Sequence, residues 1–306
     1  MARRKRKDLL GFSSIKAGKR ARARRILNRE QRMRLRKNVF SLAGLVSRMR
    51  GIFGIWHPDP RGEGDGDAGN LLEDLLGVPE NNLSVADYGV YELKTHKKSS
   101  GALVKLFSLA PNPRPFSSQP FLEAVGWQDR SNPARLRFSF TSGVNGNSRG
   151  FRINRTGDTI QFIHDPRSVL RAELAQPYET DNTLGDYSDR IQLNPNYTTE
   201  LPKNWLIRDT NPLNNDTIEA RIRDKLQNVV FIERTQRLNP RTGVREHKFH
   251  HAWLLSTLPL SQFIQYIDDD VLRIDFNMRT GHDHGVAFRI NRDRMVELFE
   301  NSVRLI

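Results

Sequence analysis

Cysteine is absent from the 306 residues. That excludes disulfides, thiolate zinc sites, iron–sulfur clusters and cysteine nucleophiles. No apolar run approaches the ~20 residues that cross a bilayer as a helix. No apolar segment with a small-residue cleavage site opens the chain, which predicts a protein that is not secreted. A phosphate-cradling glycine-rich loop is missing, so nothing supports ATP-driven chemistry. No Ser/His/Asp spacing suggests acyl transfer. With 37% hydrophobic residues the chain can still bury the core of one large domain or two small ones.

Acidic residues are scarce at one end. Residues 1–50 hold 18 Lys and Arg against only Asp8 and Glu30, whereas the remaining 256 residues are nearly neutral. The overall charge of +14 therefore describes a basic arm joined to a balanced body. Such an arm predicts attachment to a polyanion, nucleic acid before an anionic membrane surface or a merely solvated tail. An Arg-rich, acid-poor N-terminus is also the composition of an organellar transit peptide.

The chain divides into a basic, partly helical extension (1–50), a glycine-rich linker (51–70) and a body (71–306). Apolar residues from Ile26 to Met49 recur at helical spacing among arginines. The acids of residues 61–70 lack the spacing of a calcium loop. Leu71–Leu76 reads as the end of a short helix, and Tyr88–Thr95 and Ala102–Leu109 as strands. Further strands are expected at 135–141, 149–154 and 158–164, the last two joined at Thr156-Gly157-Asp158. Residues 175–215 read as irregular. Helices are expected at 218–226, 260–267 and 292–301, and strands at 228–235, 249–256, 271–276 and 286–290. Interleaved strands and helices make the body mixed α/β.

The segment Asp87-Tyr88-Gly89-Val90-Tyr91-Glu92-Leu93-Lys94 carries chemistry. On a strand, Glu92 and Lys94 share one face and Leu93 takes the other. Two carboxylates can hold a hard divalent cation through oxygen, leaving positions for water and phosphate. The cation polarises a phosphoryl group and acidifies water, while a lysine stabilises charge developing at phosphorus. Taken alone, the same spacing also describes a surface ion pair. Glu73, fourteen residues before Asp87, lies where a short helix can aim it at the same site or expose it to solvent.

Glu73, Asp87 and Glu92-Leu93-Lys94 together resemble the catalytic pattern of the PD-(D/E)XK nucleases of the MutH-like branch, and among them the MvaI/BcnI group of type II restriction endonucleases. The flanks Leu72-Glu73-Asp74-Leu75-Leu76, Glu92-Leu93-Lys94-Thr95-His96 and Leu106-Phe107-Ser108-Leu109-Ala110-Pro111-Asn112-Pro113-Arg114 are similar to that group's catalytic segment. Gly281-His282-Asp283-His284-Gly285-Val286-Ala287-Phe288-Arg289-Ile290 is similar to its second signature. The resemblance runs from about Asn70 to the C-terminus.

It implies a restriction-endonuclease-like core: a central mixed β-sheet flanked by helices, with a catalytic lobe (about 71–170) and a recognition lobe (about 215–306) around a DNA cleft. It implies Asp87 and Glu92 as ligands of one or two Mg²⁺ ions, Lys94 as the catalytic lysine and Glu73 as an outer carboxylate. Arg114 would touch phosphate. His282, His284, Arg289 and Asp275 would read bases; arginine can bind guanine O6 and N7 with two bonds. The implied activity is Mg²⁺-dependent hydrolysis of double-stranded DNA at a short, CCNGG-like site, leaving 5′-phosphates. The implied protein is a cytoplasmic monomer of a prokaryote or phage, with a cognate DNA methyltransferase encoded nearby and no membrane partner.

Two other readings stay open: a MutH/Sau3AI-like site-specific nickase, and a DNA-binding protein whose nuclease body has decayed. His282 and His284 also have zinc-like i, i+2 spacing, but no third ligand of fixed spacing accompanies them. His247, His250 and His251 read as a solvated or phosphate-facing strand edge. Trp56, Trp127, Trp205 and Trp253 read as core or hinge packing.

Overall fold

The computed structural model describes residues 41–61, 67–78, 86–98, 101–111, 119, 122–123, 126–129, 131–148, 150–164, 204–211 and 214–306. The expectations for residues 1–40, for Arg114 and for residues 165–203 lie outside them.

Helix α1 (Leu42–Ile52) opens where Ser41 accepts a hydrogen bond from the Gly44 N–H, 3.1 Å away. Strand β1 (Trp56–Pro58) and helix α2 (Asp67–Leu75) follow. Then come β2 (Glu92–Lys97), β3 (Val104–Ser108), β4 (Trp127–Asp129), β5 (Asn132–Ser142), β6 (Phe151–Thr156), β7 (Thr159–His164) and β8 (Asn204–Leu206). Helix α3 (Ile218–Lys225) leads into the long hairpin β9 (Asn228–Leu238) and β10 (Arg245–Ser256). Helix α4 (Leu260–Asp268), β11 (Leu272–Arg279), β12 (His282–Ile290), a 3₁₀ turn (Arg292–Arg294) and β13 (Asn301–Arg304) complete the chain.

One sheet has the order β1-β10-β9-β2, with β13 also on β10. It is mixed, because β2 runs parallel to β9 while the other pairs are antiparallel. A second sheet, β3-β12-β11-β5-β4, is antiparallel, and β6-β7-β8 form a third. The first sheet separates two cores. Leu93, Val230, Ile232 and Phe249 face a cluster with Leu45, Met49 and Leu72. Val229, Phe231 and Leu255 face the larger cluster, which includes Phe138, Phe151, Phe276 and Phe288. The Phe138 ring meets Phe151 and Phe276 edge-on at 5.2 and 5.5 Å, the arrangement favoured by the aromatic quadrupole.

Several expectations are corrected. The extension and linker boundaries move, because Leu45 and Met49 are fully buried against the body and β1 pairs with β10. Helix α2 begins at Asp67, inside the expected linker. Burial of Ala68, Leu71 and Leu72 outweighs the roughly 1 kcal/mol that Gly69 costs a helix. Strands of the expected catalytic lobe pair with strands of the expected recognition lobe: β2 with β9, and β3 and β5 with β12 and β11.

The expected helix over 292–301 is a single 3₁₀ turn followed by β13. There Asn291 caps the turn by accepting from the Asp293 N–H, and pairing with β10 takes the C-terminal residues. His247 is no solvated edge: it is buried, and its Nε2 lies 3.1 Å from Asp59 Oδ2. Among the described residues no helix is long and apolar enough to cross a membrane.

Candidate active site

Strand β2 begins later than its sequence suggests. Asp87–Tyr91 form a tight turn closed by paired backbone hydrogen bonds between Tyr88 and Tyr91, at 2.8 and 2.9 Å. Gly89 sits at φ 67°, where a side chain would be strained. The turn returns Asp87 to the head of β2, where its Oδ2 accepts the Leu93 N–H at 3.0 Å. Strand β2 then alternates: Glu92, Lys94 and His96 lie on one face, and Leu93 anchors the other in the core.

Glu92 is 1% exposed. Lys94 Nζ donates to its Oε1 at 2.5 Å, and Lys225 Nζ stands 3.5 Å from the same oxygen. The other oxygen, Oε2, is buried and has no hydrogen-bond partner among the described residues. Burial, and then the charge of Glu92, push the Asp87 carboxyl above the usual carboxylate range. Burial works against the Lys94 ammonium, yet Glu92, Asp87 and Glu73 hold its pKa above the ordinary lysine value. Glu73, half-buried on α2 beside Leu72, lies near enough for its charge to favour that ammonium.

A bare, buried carboxylate oxygen costs roughly 1–3 kcal/mol or more. Beside a second carboxylate of raised pKa, it is the donor set that a hard divalent cation satisfies, with water and phosphate completing the coordination. The residues present therefore fit Mg²⁺. Among the described residues no three His, Asp or Glu side chains converge as a ready-made metal cage.

The second sheet brings a further cation near the site. Burial, and then the like charges of Lys94, Arg289 and Lys225, lower the pKa of Lys105 on β3. Lys105 pairs in register with Arg289 on β12. Lys105 thus lies near enough to feel both the ammoniums and the carboxylate of the Glu92 site, so cations and carboxylates are gathered there, a polarity that suits a phosphodiester. Sequence reasoning missed Lys105 and Lys225. Lys225 lies far along the chain from β2, and Lys105, on the next strand, has no motif of its own.

Asp275 and Arg289 are brought together. Arg289 Nε donates to Asp275 Oδ2 at 2.8 Å and its Nη1 to the Leu103 carbonyl at 3.3 Å. Thr141 donates to Asp275 Oδ1 at 3.0 Å. Both candidate readers are therefore held in place by one another. His282 and His284 lie at the start of β12, where His282 pairs with Arg279. The register slips between Phe276 and Met278, and Gly285 adopts φ 79°. A β-bulge explains the glycine in His-Asp-His-Gly.

The comparisons with known proteins bear on this arrangement. The model of the MvaI/BcnI restriction endonuclease family matches residues 46–299. A solved structure of restriction endonuclease MvaI with its cognate DNA substrate is 19% identical, with a TM-score of 0.65 over 87% of this chain and 99% of that one. A structure of MvaI without DNA is also 19% identical, with a TM-score of 0.42 over 87% and 97% of the two chains. A search of curated proteins finds no match.

Proposed function

The chain belongs to the MvaI/BcnI restriction endonuclease family, and from that premise we propose a Mg²⁺-dependent enzyme that cuts double-stranded DNA at a short, CCNGG-like site and leaves 5′-phosphates. Membership makes it a type II site-specific deoxyribonuclease with the mixed α/β fold of the PD-(D/E)XK nucleases. The observation that carries the finer reading is the buried Glu92, with one oxygen held by ammoniums and the other without a partner among the described residues.

In this reading Asp87 and Glu92 hold the metal through their carboxylate oxygens. The bound cation supplies polarisation of the phosphoryl group and a more acidic water. Lys94 carries a proton throughout and orients the attacking water or donates to a non-bridging oxygen as charge grows there. Glu73 keeps Lys94 charged from α2. The 3′ oxygen leaves, and the phosphate stays on the 5′ end. Lys105 draws the backbone toward the carboxylates. Arg289, Asp275, His282 and His284 read base edges from the second sheet, while Arg114 contacts phosphate. A monomer closes two lobes on the duplex, and a cognate methyltransferase protects host DNA.

The test is substitution at the ligands. Asp87→Asn and Glu92→Gln should each bind DNA like the wild type and fail to cut it at any Mg²⁺ concentration. Wild-type fragments should be religated without prior phosphorylation. Cleavage by either variant at the wild-type rate would remove that residue from the metal site.

A further inference from the structure

Lys225 closes helix α3, an end where the helix dipole favours a cation. The helix is fixed at both ends. Thr217 caps it by accepting from the Ala220 N–H at 3.1 Å, and Ile218, Ile222 and Leu226 are buried in the larger core. Two residues beyond Leu226 the chain enters β9, whose Val229 lies in register with Glu92. The short connection from α3 to β9 thus sets Lys225 beside the head of the catalytic strand.

The charge pattern there is lopsided. Two ammoniums, Lys94 and Lys225, crowd a single oxygen of a carboxylate that is 1% exposed, while its other oxygen is bare. One counter-ion would neutralise the group, and two like charges at one atom repel. The second ammonium has a purpose if the first must leave during the reaction. We propose that Lys225 is a positioning residue: it keeps Glu92 Oε1 oriented, so that Oε2 faces the cation and Lys94 is released to the reacting phosphate. This rests on the reading of Glu92 as a metal ligand. Lys225 also acts electrostatically on Asp87, so it bears on both carboxylates of the site. Its side chain is 21% exposed, so it can be replaced without opening the core.

The test compares Lys225→Met and Lys225→Arg in the full-length protein, with Glu92→Gln as reference. Three quantities are read: the single-turnover rate at saturating unmethylated plasmid DNA and Mg²⁺, DNA affinity in EDTA, and Mn²⁺ binding to the DNA-free protein by calorimetry. Lys225→Met should slow cleavage roughly 10–100-fold, the usual effect of removing a residue that orients a metal ligand. DNA affinity should be unchanged. Mn²⁺ should bind more weakly, within the same roughly 10–100-fold range, because Oε2 is no longer held toward the cation. Lys225→Arg should recover most of the rate.

A wild-type rate in Lys225→Met overturns the proposal. Weaker DNA binding with an unchanged saturated rate also overturns it and makes Lys225 a phosphate anchor. Loss of Mn²⁺ binding that arginine does not rescue overturns it in favour of a purely structural role. Glu92→Gln separates the two layers. If that variant cleaves and binds Mn²⁺ like the wild type, the ligand reading has failed, and the Lys225 assignment with it. If it loses both while Lys225→Met is unaffected, only the Lys225 assignment has failed.

Discussion

Replacing Lys94 by Met should damage stability and activity together, and a second substitution should repair only one of them. Glu92 is buried to 1%, and Lys94 at 2.5 Å is its nearer counter-ion. Removing one partner of a buried ion pair costs about 3–5 kcal/mol, because the other charge is left without compensation. Here Lys225 remains 3.5 Å away and Lys94 is itself 17% exposed. The loss should therefore fall to about 2–3 kcal/mol. For a chain of this size that lowers the melting temperature by about 5–10 °C. Cleavage should fall by about 10²–10³-fold, the effect of deleting one preorganised donor from a charged transition state.

In Glu92→Gln/Lys94→Met both charges are gone while the shapes remain, so stability should return to within about 1 kcal/mol of wild type. Activity should not return. Differential scanning calorimetry and a single-turnover plasmid assay read the two effects separately. A Lys94→Met protein that melts with the wild type would refute the electrostatic reasoning. So would a double variant less stable than the single one.

Three further outcomes are expected. Asp59→Ala should leave buried His247 Nε2 without its acceptor and loosen β1 from β10, at a cost of about 1–3 kcal/mol in chemical denaturation. Burial, and then Arg234, hold the His247 pKa below its ordinary value, so the folded state favours the neutral ring. That stability is present above the unfolded histidine pKa and is lost as pH falls below about 6.5; melting temperatures between pH 5 and 8 that ignored Asp59→Ala would contradict it. Arg289→Gln frees Asp275 of its ion pair and should relax site choice at one base pair by about 1–3 kcal/mol, read by sequencing the cut ends. Deleting residues 1–40 should flatten log K against log salt by about 0.9 for each phosphate the arm neutralises, without changing the preferred site. Deleting 1–58 should also destabilise the body, because Leu45 and Met49 go with it.

Much of the candidate site's arrangement is legible because its residues are compressed into an eight-residue segment. Period-2 alternation placed Glu92 and Lys94 on one face, and the helix carrying Glu73 was visible from its leucines. The start of β2 was misread, because Tyr88 and Tyr91 look like strand residues but close a turn around Gly89. Long-range pairing was not legible. Nothing local marks β9 as the parallel neighbour of β2, so Lys225 beside Glu92 could not be foreseen. The Asp275–Arg289 pair was hidden differently: both residues were singled out, but their mutual bond depends on the register of β11 against β12. The linker was misjudged from composition, since glycines in 61–70 masked a helix whose strength lies in its buried Leu71 and Leu72.

Digestion of methylation-free phage DNA, with and without Mg²⁺ and with sequencing of the ends, tests the central claim most directly. The account predicts discrete fragments that form only with the metal, share one short sequence and carry 5′-phosphates. DNA that is bound but left intact in Mg²⁺, or cut without a common sequence, would contradict it.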